Sequence, residues 1–280
     1  MKTLLLALVA TATASAAGVA DHLGLQLYSL RVMAMQQGWR AELDQTKAFG
    51  LGYVEGGSPP AGLTAAQYTS ELSARGLKMV SMGFGYESLA KDLPAAVAGA
   101  KALGVSYVMC AWIPHKADTF TDDDARKAAA DFNAWGAAFR AAGITFAYHA
   151  HGYEFRPDGN GDTPFDVLAR ATDPASVAFE MDVFWVTHGG QNPVELMRKY
   201  PSRWVMMHVK DIRKGAPTGI FTGHAPAMDD VAVGTGQVDW PAVLREARAV
   251  GIKYYFIEDE SVTPLQNVPL SIAYLRSLGI

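Results

Sequence analysis

Four short stretches of the chain end in polar pairs spaced by two. "AYHAH" places His149 and His151, "FEMDVFW" places Glu180 and Asp182, "MMHVKD" places His208 and Lys210, and "FIEDE" places Glu258 and Glu260. On an extended chain that spacing puts both members of a pair on one face. Carboxylates from two such stretches and imidazoles from one or two more make an oxygen and nitrogen donor set. It suits one divalent metal ion such as Mn²⁺, Mg²⁺, Co²⁺ or Zn²⁺. Without a cation, Asp182 and Glu258 would repel each other in a partly dry site, and one would have to hold a proton. Singly, each residue could be satisfied by a loop amide. Their recurrence at the ends of successive apolar runs is what points to a common site.

Such pairs need elements to bring them together. "FGLGYVEGG" (49–57), "RGLKMVSMG" (75–83), "LGVSYVMCA" (103–111), "AGITFAYHA" (142–150) and "VGIKYYFIE" (250–258) each place a Gly between a helical stretch and an apolar run. Helices commonly end on a left-handed residue, which Gly adopts without penalty, so each phrase reads as a helix-to-strand junction. "HLGLQLYSL" (22–30), "SVAFEMDVF" (176–184) and "RWVMMHVKD" (203–211) bring the expected strands to eight, with room for a helix between them. From Asp122 to Ala142, Ala125, Ala128, Ala129, Phe132, Trp135 and Phe139 recur at helical spacing, and Thr121 with Asp124 forms a capping box at the start. Continuous apolar strands alternating with helices predict an α/β fold, a parallel eight-stranded (β/α)8 TIM barrel in one domain. An open doubly wound sheet is the alternative, but no G-x-G-x-x-G follows the first strand. "GTGQVDW" (234–240) lacks a Lys for phosphate and reads as the turn into a helix begun near Asp239 and Trp240. In a barrel the working residues sit at the carboxyl ends of the strands, which gathers the four polar pairs into one mouth.

Half of the 280 residues are hydrophobic and the formal net charge is -4. A large core is therefore available, and no basic face that would follow a nucleic acid backbone. Residues 1–16 carry Lys2, an apolar stretch from Leu4 and the small residues Ala14, Ser15 and Ala16, the pattern of a cleaved export signal. A short membrane anchor is the alternative, although the apolar run falls short of the roughly 20 residues that span a bilayer. The expected mature domain is 17–280, periplasmic or secreted and without a membrane span. Cys110 is the lone cysteine and reads as a small core residue.

Together, "GLQLYSLR", "AYHAHGYEF", "EMDVFWVTHGG", "MHVKDI", "VGTGQVDWPAVL" and "FIEDE" resemble the xylose isomerase-like superfamily of sugar phosphate isomerases and epimerases. The likeness covers nearly the whole expected mature chain. It implies a barrel holding one divalent metal on strands five to eight, and proton transfer beside a sugar carbonyl. By the same resemblance Asp182, His208 and Glu258 match metal ligands. The fifth-strand ligand of the well-studied epimerases is a Glu, and here it is His149, with His151 nearer the rim and facing substrate; the order of the two could be reversed.

That departure matters chemically. Two metal-bound carboxylates on opposite faces can alternate as base and acid, whereas here Glu258 is the obvious carboxylate base. Isomerisation or β-elimination from a keto-sugar needs an enediolate, with His151 or Glu154 for the second proton. Lys210 is placed either over a developing oxyanion or as a structural partner of Glu180. Trp185 and His188 fit a sugar platform and clamp, or packing of their loop. Trp112 is a further stacking candidate, Gln26 and Tyr28 a pocket floor, and Glu55 the neutraliser of a nearby cation. A metal-dependent isomerase or epimerase on a small carbohydrate is the leading expectation; a lyase on keto-sugars or glycosides and an exported sugar-binding barrel without turnover are the alternatives.

Overall fold

The computed structural model describes residues 18–116, 119–159 and 161–279. The expected export signal lies outside them. Eight parallel strands close into a barrel: β1 (Leu23–Gln26), β2 (Tyr53–Gly56), β3 (Lys78–Gly83), β4 (Tyr107–Cys110), β5 (Thr145–His149), β6 (Val177–Asp182), β7 (Trp204–Val209) and β8 (Tyr254–Ile257). The β1–β8 pairing, with Leu25 opposite Ile257, seals it. This is the α/β barrel that the glycine junctions predict, one domain with its helices outside.

Period-two alternation sorts each strand into two populations. Outward residues such as Phe146, Phe179, Met207 and Tyr255 belong to the main core against the helices. The helix Asp122–Ala141 is typical of that layer: Thr121 and Asp124 cap it as expected, and Phe132 and Phe139 pack on Phe146. The other population starts apolar, with Tyr53, Ala147, Ala178, Met206 and Phe256 in a second cluster. Two positions further along come Glu55, His149, Glu180 and His208 on the same strands, and Glu258 just past the end of β8. The polar residues at the mouth thus continue the rows that fill the interior below.

Three expected strands are shorter than their apolar runs, each for a local reason. At Gln26 the side chain accepts a hydrogen bond from Tyr28 N, and the chain turns into a 3-10 helix, Leu27–Leu30. At Asp182, Oδ1 accepts from Trp185 N at 2.8 Å and caps the helix Val183–His188. Beyond β7, Asp211–Ile212 leaves the barrel to pair antiparallel with Asp230–Val231. Asp239 caps the helix Trp240–Val250, so "GTGQVDW" is the turn it was expected to be. Among the described residues, no helix is long and apolar enough to cross a membrane.

Candidate active site

Strand register builds the floor of the mouth. His149 lies opposite Glu180, and Asp182 opposite His208. The His149 Nε2 and His208 Nδ1 atoms each stand 3.6 Å from Asp182 Oδ2. Glu258 Oε2 is 3.3 Å from the same His208 nitrogen. Four donor atoms from β5, β6, β7 and the residue after β8 therefore face one small volume. Asp182 Oδ2 and His208 Nδ1 are buried without a hydrogen-bond partner. Buried polar atoms are normally paired, so this pocket of unpaired donors has the chemistry of a cation site. His149, Asp182 and His208 group as candidate ligands.

Charge gives the same picture. Burial alone would lower the His208 imidazole, but Glu180, Glu258 and Glu55 outweigh it and hold its pKa well above the ordinary value. Glu180 is raised by burial and by Glu55. Burial would raise Asp182, yet His208, Lys210 and His149 keep it low. The floor is short of positive charge, and a divalent ion would supply it.

Lys210 and Glu258 stand beside this floor. Lys210 Nζ reaches Glu258 Oε2 at 3.2 Å, Glu260 Oε1 at 2.7 Å and Asp230 Oδ2 at 3.9 Å. Its expected partner Glu180 holds His149 instead, with 3.1 Å between His149 Nδ1 and Glu180 Oε2. The correction comes from the pleat: residues 208 and 210 share a face, but Lys210 lies one layer higher, level with the residues just past β8. Burial would raise Glu258, and Lys210 with His208 holds it well below the usual carboxylate range.

His151 stands past the end of β5 as a wall of the mouth, stacked on Trp185 with ring centroids 4.9 Å apart. Trp112 meets it edge-on at 5.7 Å. Burial first, then His149, pushes the His151 imidazole down to about 3, so it is neutral at neutral pH. Trp112 also carries His224 on its face, from the long loop after β7, a neighbour that no sequence spacing announces.

Three expected substrate contacts are engaged with the protein itself. Glu154 is fully buried, accepting from the Tyr148 hydroxyl and from His151 N at 3.0 Å, so its carboxyl is engaged in holding the loop after β5. Tyr28 is 53 % exposed, its ring under the Arg31 guanidinium, because the 3-10 turn swings it out of the barrel. His188 is buried, its ring stacked on Phe184 and edge-on to Trp185 with Nδ1 unpaired, while its carbonyl accepts from Gly219 N and Ile220 N. Gln26 does reach the floor, donating to Glu55 Oε1 at 2.7 Å.

A family model described as xylose isomerase-like TIM barrel matches residues 43–278. The chain belongs to that family. Among solved structures, a sugar phosphate isomerase/epimerase from Parabacteroides distasonis aligns with a TM-score of 0.75 at 25% identity, over 95% of this chain and 96% of its own. The IolI protein with a binding zinc atom gives 0.69 at 14% identity, over 92% and 96%, a likeness of fold. The inosose dehydratase of Lacticaseibacillus casei is 23% identical over 163 residues, 55% of this chain. That match spans about half of the curated relative, 53% of its length. At family level the chain is thus a xylose isomerase-like TIM barrel, similar to proteins that include a sugar phosphate isomerase/epimerase and an inosose dehydratase.

Proposed function

We propose that this barrel is a divalent-metal-dependent sugar isomerase or epimerase that removes and returns a proton beside a carbonyl, through an enediolate. The observation that carries the reading is the convergence of His149 Nε2, Asp182 Oδ2, His208 Nδ1 and Glu258 Oε2, with Asp182 Oδ2 and His208 Nδ1 left unpaired. These four side chains would hold the ion. When bound, it supplies Lewis acidity at the substrate carbonyl and the neighbouring hydroxyl.

The remaining chemistry belongs to the chain's own groups. Glu258, kept ionised by Lys210 and His208, takes the proton from carbon. Lys210 places its ammonium where negative charge grows, in a water-poor site where such a charge counts most. His151, a neutral imidazole, gives or takes the second proton at the rim. Trp185 and Trp112 offer rings for a sugar face.

A β-elimination is the second reading. It is favoured by the placement of His149 where a second carboxylate base would stand, which makes the two sides of the site unequal, and by the likeness to an inosose dehydratase. An export signal at 1–16 belongs to the same proposal and favours an unphosphorylated sugar, because phosphorylated intermediates are usually held in the cytosol.

The test is metal analysis of the purified protein, then incubation with free and keto-sugars in heavy water. Deuterium on carbon with the substrate's formula otherwise kept supports the isomerase or epimerase. Loss of water or of an alcohol to give an enone supports the lyase. Sugar binding without exchange leaves a binding barrel, and a chain that takes up no divalent ion overturns the whole reading.

A further inference from the structure

Glu55 and Glu180 are completely buried carboxylates to which the proposed reaction gives no role. Each sits at a slip in the strand ladder: the β2–β3 register shifts between Val54 and Glu55, and the β6–β7 register between Phe179 and Glu180. Such irregularities re-aim side chains and recur beside active sites. What they aim here is an oxygen at an imidazole. His208 Nε2 stands 2.6 Å from Glu55 Oε1, and His149 Nδ1 stands 3.1 Å from Glu180 Oε2.

A carboxylate can only accept, so once the rings are neutral, as ligation of an ion requires, each imidazole donates from the nitrogen turned to its carboxylate and presents the other nitrogen's lone pair. The two rings need opposite arrangements. His208 must keep its proton on Nε2 to offer Nδ1, while His149 must keep it on Nδ1 to offer Nε2. Glu55 and Glu180 impose that pair of choices. Gln26 completes the device: its Oε1 is taken by Tyr28 N, so its amide nitrogen points at Glu55 Oε1, 2.7 Å away.

We infer that Glu55 and Glu180 are positioning residues that select the imidazole tautomers for the metal site, with Gln26 steering Glu55. The inference rests on the metal reading of the proposed function. It competes with a second possibility, because Glu55, Glu180 and His208 also group as candidate ligands in their own right. The 2.6 Å separation argues for a hydrogen bond instead, because it is shorter than the about 3 Å at which two ligands of one ion normally stand.

The experiment compares wild type with Glu55→Gln and Glu180→Gln. It measures Zn²⁺ and Mn²⁺ affinity by chelator competition, ions bound per chain, Tm of the metal-free protein, and ¹⁵N shifts of the histidine rings. The expected result is one ion per wild-type chain and an affinity about 10–100-fold weaker in each variant. In the same variants the tautomer signature of the facing imidazole in the metal-loaded protein is lost, a change that a fall in metal-free Tm alone does not produce. A merely structural carboxylate would lower Tm and leave affinity alone, which overturns the inference. Two ions per wild-type chain falling to one in Glu55→Gln also overturns it, by making Glu55 a ligand. A wild type that binds no ion is different: there the metal reading fails, and the inference falls with it.

Discussion

The Lys210 ammonium and the Glu258 carboxylate form an ion pair 3.2 Å long in the interior of the mouth, with the Phe184 and Trp185 rings 5.1 and 5.3 Å from the nitrogen. An ion pair so shielded is strong and expensive to break. Among the described residues, Glu258 is the one carboxylate that pairs with both the lysine and a candidate metal-binding imidazole. Glu258→Gln keeps the shape and removes the base. Solvent deuterium exchange into substrate carbon is expected to fall by at least about 100-fold, the lower bound for a positioned general base, with the far-ultraviolet circular dichroism unchanged. Exchange at the wild-type rate would remove Glu258 from the mechanism.

Lys210→Met tests the other half of the pair. It strands Glu258, Glu260 and Asp230 without their shared cation. Breaking a buried pair by removing one partner costs about 3–5 kcal/mol, so unfolding should begin at clearly lower denaturant. The lysine lowers the Glu258 pKa, so without it the carboxylate protonates at higher pH, and the acid limb of the pH–rate profile should move upward. A stable variant with an unmoved limb would show the ammonium to be incidental.

Much of this is legible in the chain because two signals are local. Gly at the helix-to-strand junctions marks five of the eight strands, and spacing by two at a strand end gathers the four polar pairs into one mouth, from which the resemblance picks His149, Asp182, His208 and Glu258 as ligands. The misplaced residues lie just past strand ends, where the chain reverses. Tyr28 lies one turn past Gln26 on a 3-10 helix, and Glu154 comes after Gly152, whose φ of 94° turns the chain back toward Tyr148. Neither reversal carries a period. Glu55 and Glu180 are harder still, because their aim depends on register slips against neighbouring strands, a property of a pair of strands and of neither sequence alone.

Stability should show a pH dependence that has nothing to do with the mouth. Glu42, in the helix Trp39–Ala48, is raised by burial from 4.5 to about 7. A raised acid favours the folded state's protonated form. The penalty for ionising it is therefore absent below pH 4.5, grows between 4.5 and about 7, and is fully present above. Glu42→Gln should be neutral near pH 4 and stabilise the protein by up to about 3 kcal/mol at pH 8. Urea unfolding at the two pH values measures this, and equal effects at both would show that the carboxyl is not perturbed.

The end of β7 depends on one carboxylate. Asp211 accepts from Gly234 N at 2.9 Å, Gly236 N at 3.1 Å, Val238 N at 3.3 Å and Trp240 Nε1 at 2.9 Å, so it folds the 234–240 loop around itself. Gly236 is required for the approach, because a Cβ there would lie 2.2 Å from Asp211 Oδ1 and 2.3 Å from Ile212 O. Asp211→Ala leaves several buried donors unpaired, each worth about 1–3 kcal/mol, and a loss of at least about 3 kcal/mol is expected. Gly236→Ala attacks the same contact from the other side. Because both variants disrupt one unit, the double variant should lose clearly less than the sum of the two, whereas independent sites add. Chemical denaturation of the four proteins of this cycle supplies the measurement. Full additivity would mean that the loop and the carboxylate are not one structure, and that Lys210, the residue before Asp211, is held in place by β7 alone.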